Sequence, residues 1–287
     1  MAIDSSVIDL WPAGRMPGRT GTDPEMLLPD RGDAVIRATN VLRPTLTVFT
    51  PARNAGASAQ PGLAPAMVIC PGGAYRSLCI NKEGSEAAPW LLALGIVPVV
   101  LKYRVPDNRE GAFQDLQRAI RVVRHRAAEW GIDPRRIGVL GFSAGGHLCA
   151  RAAAQPRQQS YLGIDQADSQ SCRPACVVLV YPAYLNQGEA VAPELPLSAD
   201  LPPHLFIHTA DDVGFVTGSD IYHAELYAAG VDATFERFTT GGHGYGLRST
   251  QEAGVWPERA AAWLRNRGMA GIESHHGAMG VGPRPGC

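Results

Sequence analysis

The chain has 287 residues, of which 45% are hydrophobic and 18% are charged, and its formal net charge is -1. This composition is typical of a soluble globular protein with enough apolar material for a sizeable core, and a large α/β fold of this length often forms one unit. A charge so close to neutral argues against a nucleic-acid or membrane partner, because no excess positive charge is present to attract one.

Targeting and metal signals are absent from the sequence. No apolar run reaches the roughly 18–20 residues that a membrane-spanning helix needs. The N-terminal residues MAIDSS lack the basic and apolar segments of a signal peptide, so we expect a cytoplasmic protein with reduced thiols. Cys172 and Cys176 have no second pair that would complete a zinc site, and we expect neither a metal nor another cofactor.

In chain order, residues 1–40 are rich in proline, glycine and aspartate and predict an irregular arm that packs on the body through Leu10 and Trp11. Short apolar runs then alternate with helical patterns. Strands are predicted at 40–50, 66–70, 96–103, 137–142, 177–181, 205–209 and 233–238. Helices are predicted at 83–94, 113–130, 220–229 and 257–265, with one more in the run HLCARAAA.

Nearly all-apolar strands that alternate with helices predict a mostly parallel sheet covered by helices on both faces, here over residues 41–267. A dinucleotide-binding protein would show the same alternation. That alternative fails because no G-x-G-x-x-G follows the first strand of a βαβ unit. The Gly- and Pro-rich tail, residues 268–287, is predicted to be disordered.

The most specific motif is GFSAG at residues 141–145, which matches G-x-S-x-G. It follows a predicted strand, IGVLGF, and precedes the predicted helix, and this is the context of a nucleophile elbow. The turn places the serine hydroxyl at the carboxyl edge of the sheet, beside the positive end of a helix. Ser143 is therefore the candidate nucleophile.

A serine needs a base, and in this arrangement the partners follow in the order Ser, Asp or Glu, His. His243 lies after the last predicted strand, in the glycine-rich loop GGHGYG. A phosphate-binding loop is the alternative for this run, but no Lys-Ser or Lys-Thr follows it. The acid is Asp211 or Asp212, directly after a predicted strand, and we favour Asp212 because it stands clear of the strand end.

Backbone N–H groups are expected to form an oxyanion hole. One is that of Ala144, directly after the nucleophile, and the other belongs to Gly73 or Ala74 in the loop PGGAY. Tyr75 and Tyr184 follow strand ends on the same edge and are candidate substrate contacts, with core packing as the alternative. His147 and His208 are interpreted as structural or supporting histidines.

Several longer segments resemble bacterial α/β-hydrolase esterases related to acetyl xylan esterases and bifunctional acetyl-xylan/feruloyl esterases. The matching segments are IDLWPAGRMPG, NVLRPTLTVFTPA, MVICPGGAYRSL, KEG, VVLKYRVP, DLQRAIRVVRHRAAEWGIDPRRIGVLGFSAGGHL, SCRPACVVLVYPAYL and FTTGGHGYGLR, which together span residues 8 to about 265. The chain departs from the usual sequence of these esterases at two places, which affect the choice of substrate more than the catalytic reaction. Ala74 replaces the third glycine of the usual PGGGY, and the acid loop DDVGFVTGS lacks the usual Val-x-Asn-Ser end.

The resemblance implies the α/β-hydrolase fold, with Ser143 as nucleophile, Asp212 as acid and His243 as base. It also implies a serine esterase that removes acetyl groups from carbohydrate esters such as xylo-oligosaccharides. Two alternatives remain open: a general short-chain carboxylesterase, and a non-catalytic scaffold that binds ligands without reaction.

Overall fold

An eight-stranded sheet forms the centre of the structure, a computed structural model that describes residues 2–18, 21–51 and 62–270. Its strands are β1 (Ile3–Asp9), β2 (Thr45–Pro51), β3 (Ala64–Cys70), β4 (Val97–Lys102), β5 (Ile132–Phe142), β6 (Val177–Val180), β7 (His204–Thr209) and β8 (Ala233–Phe238). Across the sheet they are ordered β1-β2-β4-β3-β5-β6-β7-β8. Only the pairs β1–β2 and β2–β4 are antiparallel, which confirms the mostly parallel sheet.

Helices cover both faces of the sheet, as predicted. They are α1 (Ala87–Ala93), α2 (Arg109–His125), α3 (Ala144–Ala154), α4 (Val216–Ala228) and α5 (Trp256–Asn266). Apolar residues of α2, α3 and α4 share one buried cluster, and those of α1 and α5 share another. Alternate residues of β3 belong to different clusters, because successive side chains of a strand point to opposite faces.

Short elements complete the chain. Strands Met26–Leu27, Arg37–Thr39 and Leu78–Cys79 form a small sheet, and Asn186–Gln187 pairs with Ala190–Val191. Single helical turns lie at Gln166–Ser169 and Glu252–Val255. The predicted helix 83–94 is divided into a π-helical turn, Asn81–Ser85, and α1. Among the described residues, no helix is long and apolar enough to cross a membrane.

Both ends of the chain differ from their predictions. Leu10 and Trp11 are buried as expected, but the arm is not irregular throughout, because β1 pairs with β2 along its whole length. Strand β1 reads IDSSVID and is mostly exposed, so its hydrogen bonds to β2 decide its conformation and hydrophobic periodicity does not reveal it. At the other end, Met269 and Ala270 are buried. The rest of the predicted tail lies outside the described residues.

Candidate active site

The turn from β5 to α3 holds Ser143 in a backbone conformation that a non-glycine residue rarely adopts. Its φ is 51° and its ψ is -118°, a strain of roughly 1–3 kcal/mol that the surrounding structure must offset. Its N–H donates to the carbonyl of Val180 over 3.0 Å. A Cβ on Gly141 would lie 2.2 Å from the oxygen of Gly145, and a Cβ on Gly145 would lie 2.0 Å from the oxygen of Cys70. The glycines of G-x-S-x-G are therefore required by close backbone approach.

Ser143, His243 and Asp212 form a continuous chain of hydrogen bonds at the carboxyl edge of the sheet. The Ser143 Oγ lies 2.8 Å from His243 Nε2, and His243 Nδ1 lies 2.6 Å from Asp212 Oδ2. Asp212 follows β7 and His243 follows β8, so two adjacent strands bring them together. Because a carboxylate only accepts, His243 donates from Nδ1 and its Nε2 is free to accept the serine proton.

Asp212 is buried, and two histidines determine its charge state. Burial by itself would raise its pKa, but hydrogen bonds from His208 and His243 outweigh this effect and hold the pKa of Asp212 well below its usual range. His208 Nε2 lies 2.8 Å from the same oxygen, Oδ2, that accepts from His243. The other alternative for the acid, Asp211, is exposed and accepts instead from the N–H groups of Gly241 and Gly242.

His208 is structural, as predicted, but its partner is the carboxylate of the site. It is fully buried, and its Nδ1 lies 2.8 Å from the Ser219 hydroxyl. Burial lowers the pKa of His208 despite the neighbouring Asp212, so its ring is neutral near pH 7. The neutral ring donates a hydrogen bond from Nε2 to Asp212 and accepts one at Nδ1 from the Ser219 hydroxyl. The contact with Asp212 was not predicted; a strand-end histidine four residues before the acid is the sequence signal that could have indicated it.

His208, Asp212 and His243 each offer one ligand atom, and these atoms all lie within 4.8 Å of one another, the kind of donor set that binds a transition metal. His208 Nε2 and His243 Nδ1 already make hydrogen bonds to the same oxygen of Asp212, Oδ2. A metal ion bound there would have to displace the hydrogen bond that orients His243.

The loop after β3 places further backbone groups beside Ser143. Gly73, Ala74 and Tyr75 have φ values of 133°, 57° and 56°. No hydrogen bond between described residues uses the N–H of Gly73 or Ala74. The N–H of Ala144 also lacks a helical partner, since it belongs to the first turn of α3. These three groups are thus available to a ligand, whereas the N–H of Gly72 donates to the Glu83 carboxylate over 2.8 Å.

The two tyrosines of the predicted substrate surface have different environments. Tyr184 is half-buried, and its ring lies 5.8 Å from that of Phe215, which in turn lies 4.9 Å from the ring of His243. The Arg109 guanidinium covers the Tyr184 ring at 4.6 Å. Tyr75, by contrast, is only 2% exposed, so core packing describes it better than substrate contact.

Tyr75 and His147 belong to a buried group behind this surface. The Tyr75 hydroxyl lies 2.8 Å from His147 Nδ1, and His147 Nε2 lies 3.1 Å from a carboxylate oxygen of Glu194. Burial lowers the pKa of His147, while the hydrogen bond from His147 lowers the pKa of Glu194 to about 2. The His147 ring thus binds Tyr75, which follows Ala74 in the loop after β3, and it makes no hydrogen bond to the Ser143 hydroxyl among the described residues.

The chain is similar to several esterases and hydrolases of known sequence or structure. Residues 55–183 match the family model BD-FAE. The chain is 30% identical over 197 residues to the acetylxylan esterase of Xylanibacter ruminicola, an alignment that covers 63% of this chain and 41% of that protein. The chain therefore spans less than half the length of this relative.

Solved structures match over more of their length. An acetyl ester-xyloside bifunctional hydrolase from Caldicellulosiruptor lactoaceticus is 29% identical with a TM-score of 0.72, covering 93% of this chain and 97% of that chain. MGS-M1, an α/β hydrolase enzyme from a Medee basin deep-sea metagenome library, is 27% identical with a TM-score of 0.66, covering 78% and 92%. The chain thus has the α/β-hydrolase fold, and its resemblance to bacterial acetyl xylan esterases is confirmed.

Proposed function

We propose that this chain, an α/β-hydrolase that resembles bacterial acetylxylan esterases, is a serine esterase that removes acetyl groups from carbohydrate esters such as acetylated xylo-oligosaccharides. The observation that carries the proposal is the hydrogen-bond chain from Ser143 through His243 to Asp212. An ionised acid, a histidine whose Nε2 faces the serine hydroxyl and a strained serine form an arrangement suited to nucleophilic attack on an ester.

In the first half-reaction, His243 Nε2 takes the proton as the Ser143 Oγ attacks the ester carbonyl carbon. Asp212 holds the imidazole in its reactive tautomer and stabilises the imidazolium. The N–H of Ala144, with that of Gly73 or Ala74, donates to the oxyanion. Each such donor contributes about 3–4 kcal/mol in other hydrolases. The alcohol then leaves with the proton from His243.

In the second half-reaction, water attacks the acyl group on Ser143 and gives a proton to His243. The tetrahedral intermediate forms in the same hole and collapses as His243 returns the proton to the Ser143 Oγ, which releases the acid and regenerates the serine hydroxyl. Every proton in the cycle moves between Ser143, His243, the alcohol and water, so this chemistry is complete with the residues described above.

The sugar part of the substrate is assigned to the surface beside His243. The Tyr184 and Phe215 rings lie on that side, and the guanidinium of Arg109, whose side chain is 46% exposed, lies over the Tyr184 ring. Aromatic rings pack against apolar faces of a ligand, and a guanidinium donates to hydroxyl oxygens. The acetyl preference itself rests on the resemblance to acetylxylan esterases.

We also propose that the protein acts in the cytoplasm and binds neither nucleic acid nor a membrane. The cysteines among the described residues are unpaired, which favours a reducing compartment such as the cytoplasm. A net charge of -1 favours a small ester substrate over nucleic acid or a membrane. Cell fractionation would test the first point.

The deciding experiment measures acetate release from acetylated xylo-oligosaccharides beside p-nitrophenyl acetate, butyrate and octanoate. Ser143→Ala is the test variant, and Ser169→Ala, an exposed serine far along the chain, is the matched control. We expect the wild type and Ser169→Ala to deacetylate the sugars and Ser143→Ala to be inactive on every ester. Turnover of the p-nitrophenyl esters alone would indicate a general carboxylesterase. No turnover of any ester and no reaction with a fluorophosphonate probe would indicate a scaffold that binds ligands without reaction.

A further inference from the structure

A buried glutamate joins two loops that surround Ser143. They are the oxyanion loop, residues 71–75 after β3, and the histidine loop, residues 241–246 after β8. Glu83 is 3% exposed and lies in the π-helical turn Asn81–Ser85, within the KEG segment of the sequence. Its Oε2 accepts from the N–H of Gly72 over 2.8 Å. Its Oε1 accepts from the Tyr181 hydroxyl over 2.9 Å. The mechanism above uses neither carboxylate oxygen.

Tyr181 carries the connection onward to the histidine loop. Its hydroxyl accepts from the N–H of Gly246 over 2.8 Å, so its own hydrogen is directed at Glu83. Gly246 stands three residues after His243. One carboxylate therefore binds the oxyanion loop directly and the histidine loop through one tyrosine, although these segments are far apart in the sequence.

The oxyanion loop has little freedom to move beside the nucleophile. A Cβ on Gly72 would lie 2.8 Å from the Cβ of Ser143, which shows how closely the backbone of the loop passes the serine. A displacement of about 1 Å at such a position is enough to cost roughly 100-fold in rate. The hydrogen bond from Gly72 to Glu83 fixes the residue directly before the candidate donors Gly73 and Ala74.

The donors around Glu83 fit an ionised carboxylate, because both of its oxygens accept and neither donates. Burial raises the pKa of Glu83, and the hydrogen bonds from Tyr181 and Gly72 oppose this effect. None of the ion pairs between described residues includes Glu83. The ionisable groups that interact with it from the surrounding elements are Lys82, Cys79, Tyr103, Tyr181 and His243.

Of these groups, His243 is the one that gains a positive charge during the proposed reaction. The Tyr181 ring lies edge-to-face against its imidazole, with 5.1 Å between the ring centroids. A negative charge on Glu83, which contacts the hydroxyl end of Tyr181, stabilises the imidazolium because both side chains are buried and charges interact more strongly there than in water. Glu83 is thus placed to act on His243 in addition to Asp212, which contacts the ring at Nδ1.

We propose that Glu83 is a positioning residue of this esterase: its carboxylate holds the oxyanion loop and the histidine loop in register through Tyr181 and supports the positive charge that His243 acquires. The proposal rests on the proposed function, since it assigns the role of Glu83 to the same site. It separates into a geometric part, carried by the two hydrogen bonds, and an electrostatic part, carried by the charge.

Two variants separate these parts. Glu83→Gln removes the charge and keeps the shape, whereas Tyr181→Phe removes the bridge and keeps the charge. Glu86→Gln is the matched control, because Glu86 is a carboxylate three residues along that pairs with Arg248 and has no contact with Tyr181 or Gly72 within the described residues. Each variant is assayed on p-nitrophenyl acetate from pH 5 to 9, and its melting temperature is recorded.

We expect Glu83→Gln to lower kcat by about 10- to 100-fold with KM within about twofold of wild type, as for a lost hydrogen bond to a buried charge. The acid limb of kcat/KM should move to lower pH by about half a pH unit, because removal of a nearby negative charge makes protonation of His243 less favourable. Tyr181→Phe should lower kcat by about 3- to 30-fold and leave the acid limb in place. Glu86→Gln should match wild type in both.

An unchanged kcat and an unchanged acid limb in folded Glu83→Gln would overturn the proposal. If Glu83→Gln does not fold, Tyr181→Phe decides the geometric part, and a wild-type kcat there would refute it. The titration of His243, followed by NMR in wild type and Glu83→Gln, does not depend on turnover. It therefore tests the electrostatic part even if the wild type hydrolyses no ester, an outcome that would refute the proposed function instead.

Discussion

The hydrogen bond from His208 to Asp212 leads to a prediction about the pH dependence of the reaction. In His208→Phe the Asp212 carboxylate keeps its bond from His243 and loses the one from His208. A hydrogen bond to a charged group contributes about 1.5–3 kcal/mol, which corresponds to roughly one to two pH units in the proton affinity of the acceptor. The remaining carboxylate is thus more basic and stabilises the His243 imidazolium more strongly.

We therefore expect the acid limb of kcat/KM in His208→Phe to move to higher pH. The shift should be about half to one pH unit, because only part of the change in Asp212 reaches His243 through their shared hydrogen bond. This direction is opposite to the one expected for Glu83→Gln. The unfolding free energy should also fall by about 1–3 kcal/mol, since the buried Ser219 hydroxyl loses its acceptor.

The assay is the pH profile of kcat/KM on p-nitrophenyl acetate, with two matched variants. His208→Gln places an amide donor near the position of Nε2 and should restore the wild-type acid limb. His204→Phe replaces a second buried histidine of β7, whose Nδ1 binds the carbonyl of Pro202 instead of a group in the site. An acid limb that moves equally in His204→Phe, or does not move in His208→Phe, would refute the reasoning.

Three further predictions concern the acid, the elbow and stability. Asp212→Asn should lower kcat by roughly 10⁴-fold, because an amide in place of the carboxylate favours the wrong tautomer of His243. Asp211→Asn should lower kcat by less than about 10-fold, and similar losses in both variants would contradict the assignment of the acid. Gly145→Ala should fail to fold or should lower the melting temperature strongly, because its Cβ would lie 2.0 Å from the oxygen of Cys70, and a wild-type melting temperature would disprove this contact. Burial lowers the pKa of His204 to about 4, below the usual value of about 6.5, so the unfolded chain binds the proton more readily. The unfolding free energy should therefore fall by up to about 3 kcal/mol as the pH drops from 6.5 to 4, and urea denaturation of His204→Phe should lose this slope.

Much of the fold could be predicted from the sequence, because its information is local. Buried parallel strands are nearly all apolar and helices repeat every three to four residues, so β3 to β8 and four of the helices lie close to their predicted positions. The elbow was identified because glycines at 141 and 145 are required where the backbones of β3 and α3 come close to the turn. Strand β1 is not predicted by the sequence pattern, because most of its side chains are exposed and its apolar and polar residues do not alternate.

The order Ser143, Asp212, His243 could likewise be predicted from the sequence, since each residue lies in the turn or loop that follows a recognisable strand. The second contacts of these residues could not. Glu83 binds Tyr181, 98 positions away in the sequence, and Tyr75 binds His147, 72 positions away. Side-chain pairs of this kind leave no pattern in either segment alone.

The sequence by itself determined where most strands lie along the chain, where the nucleophile elbow is and which residue types form the site. The reason is that the periodicity of buried side chains and the steric limits on the backbone act over a few neighbouring residues. Only the tertiary structure decided that Asp212 accepts from two histidines and that Glu83 connects the loops around Ser143. The physical reason is that the charge and orientation of a buried polar group depend on which donors surround it, and packing of distant segments supplies those donors.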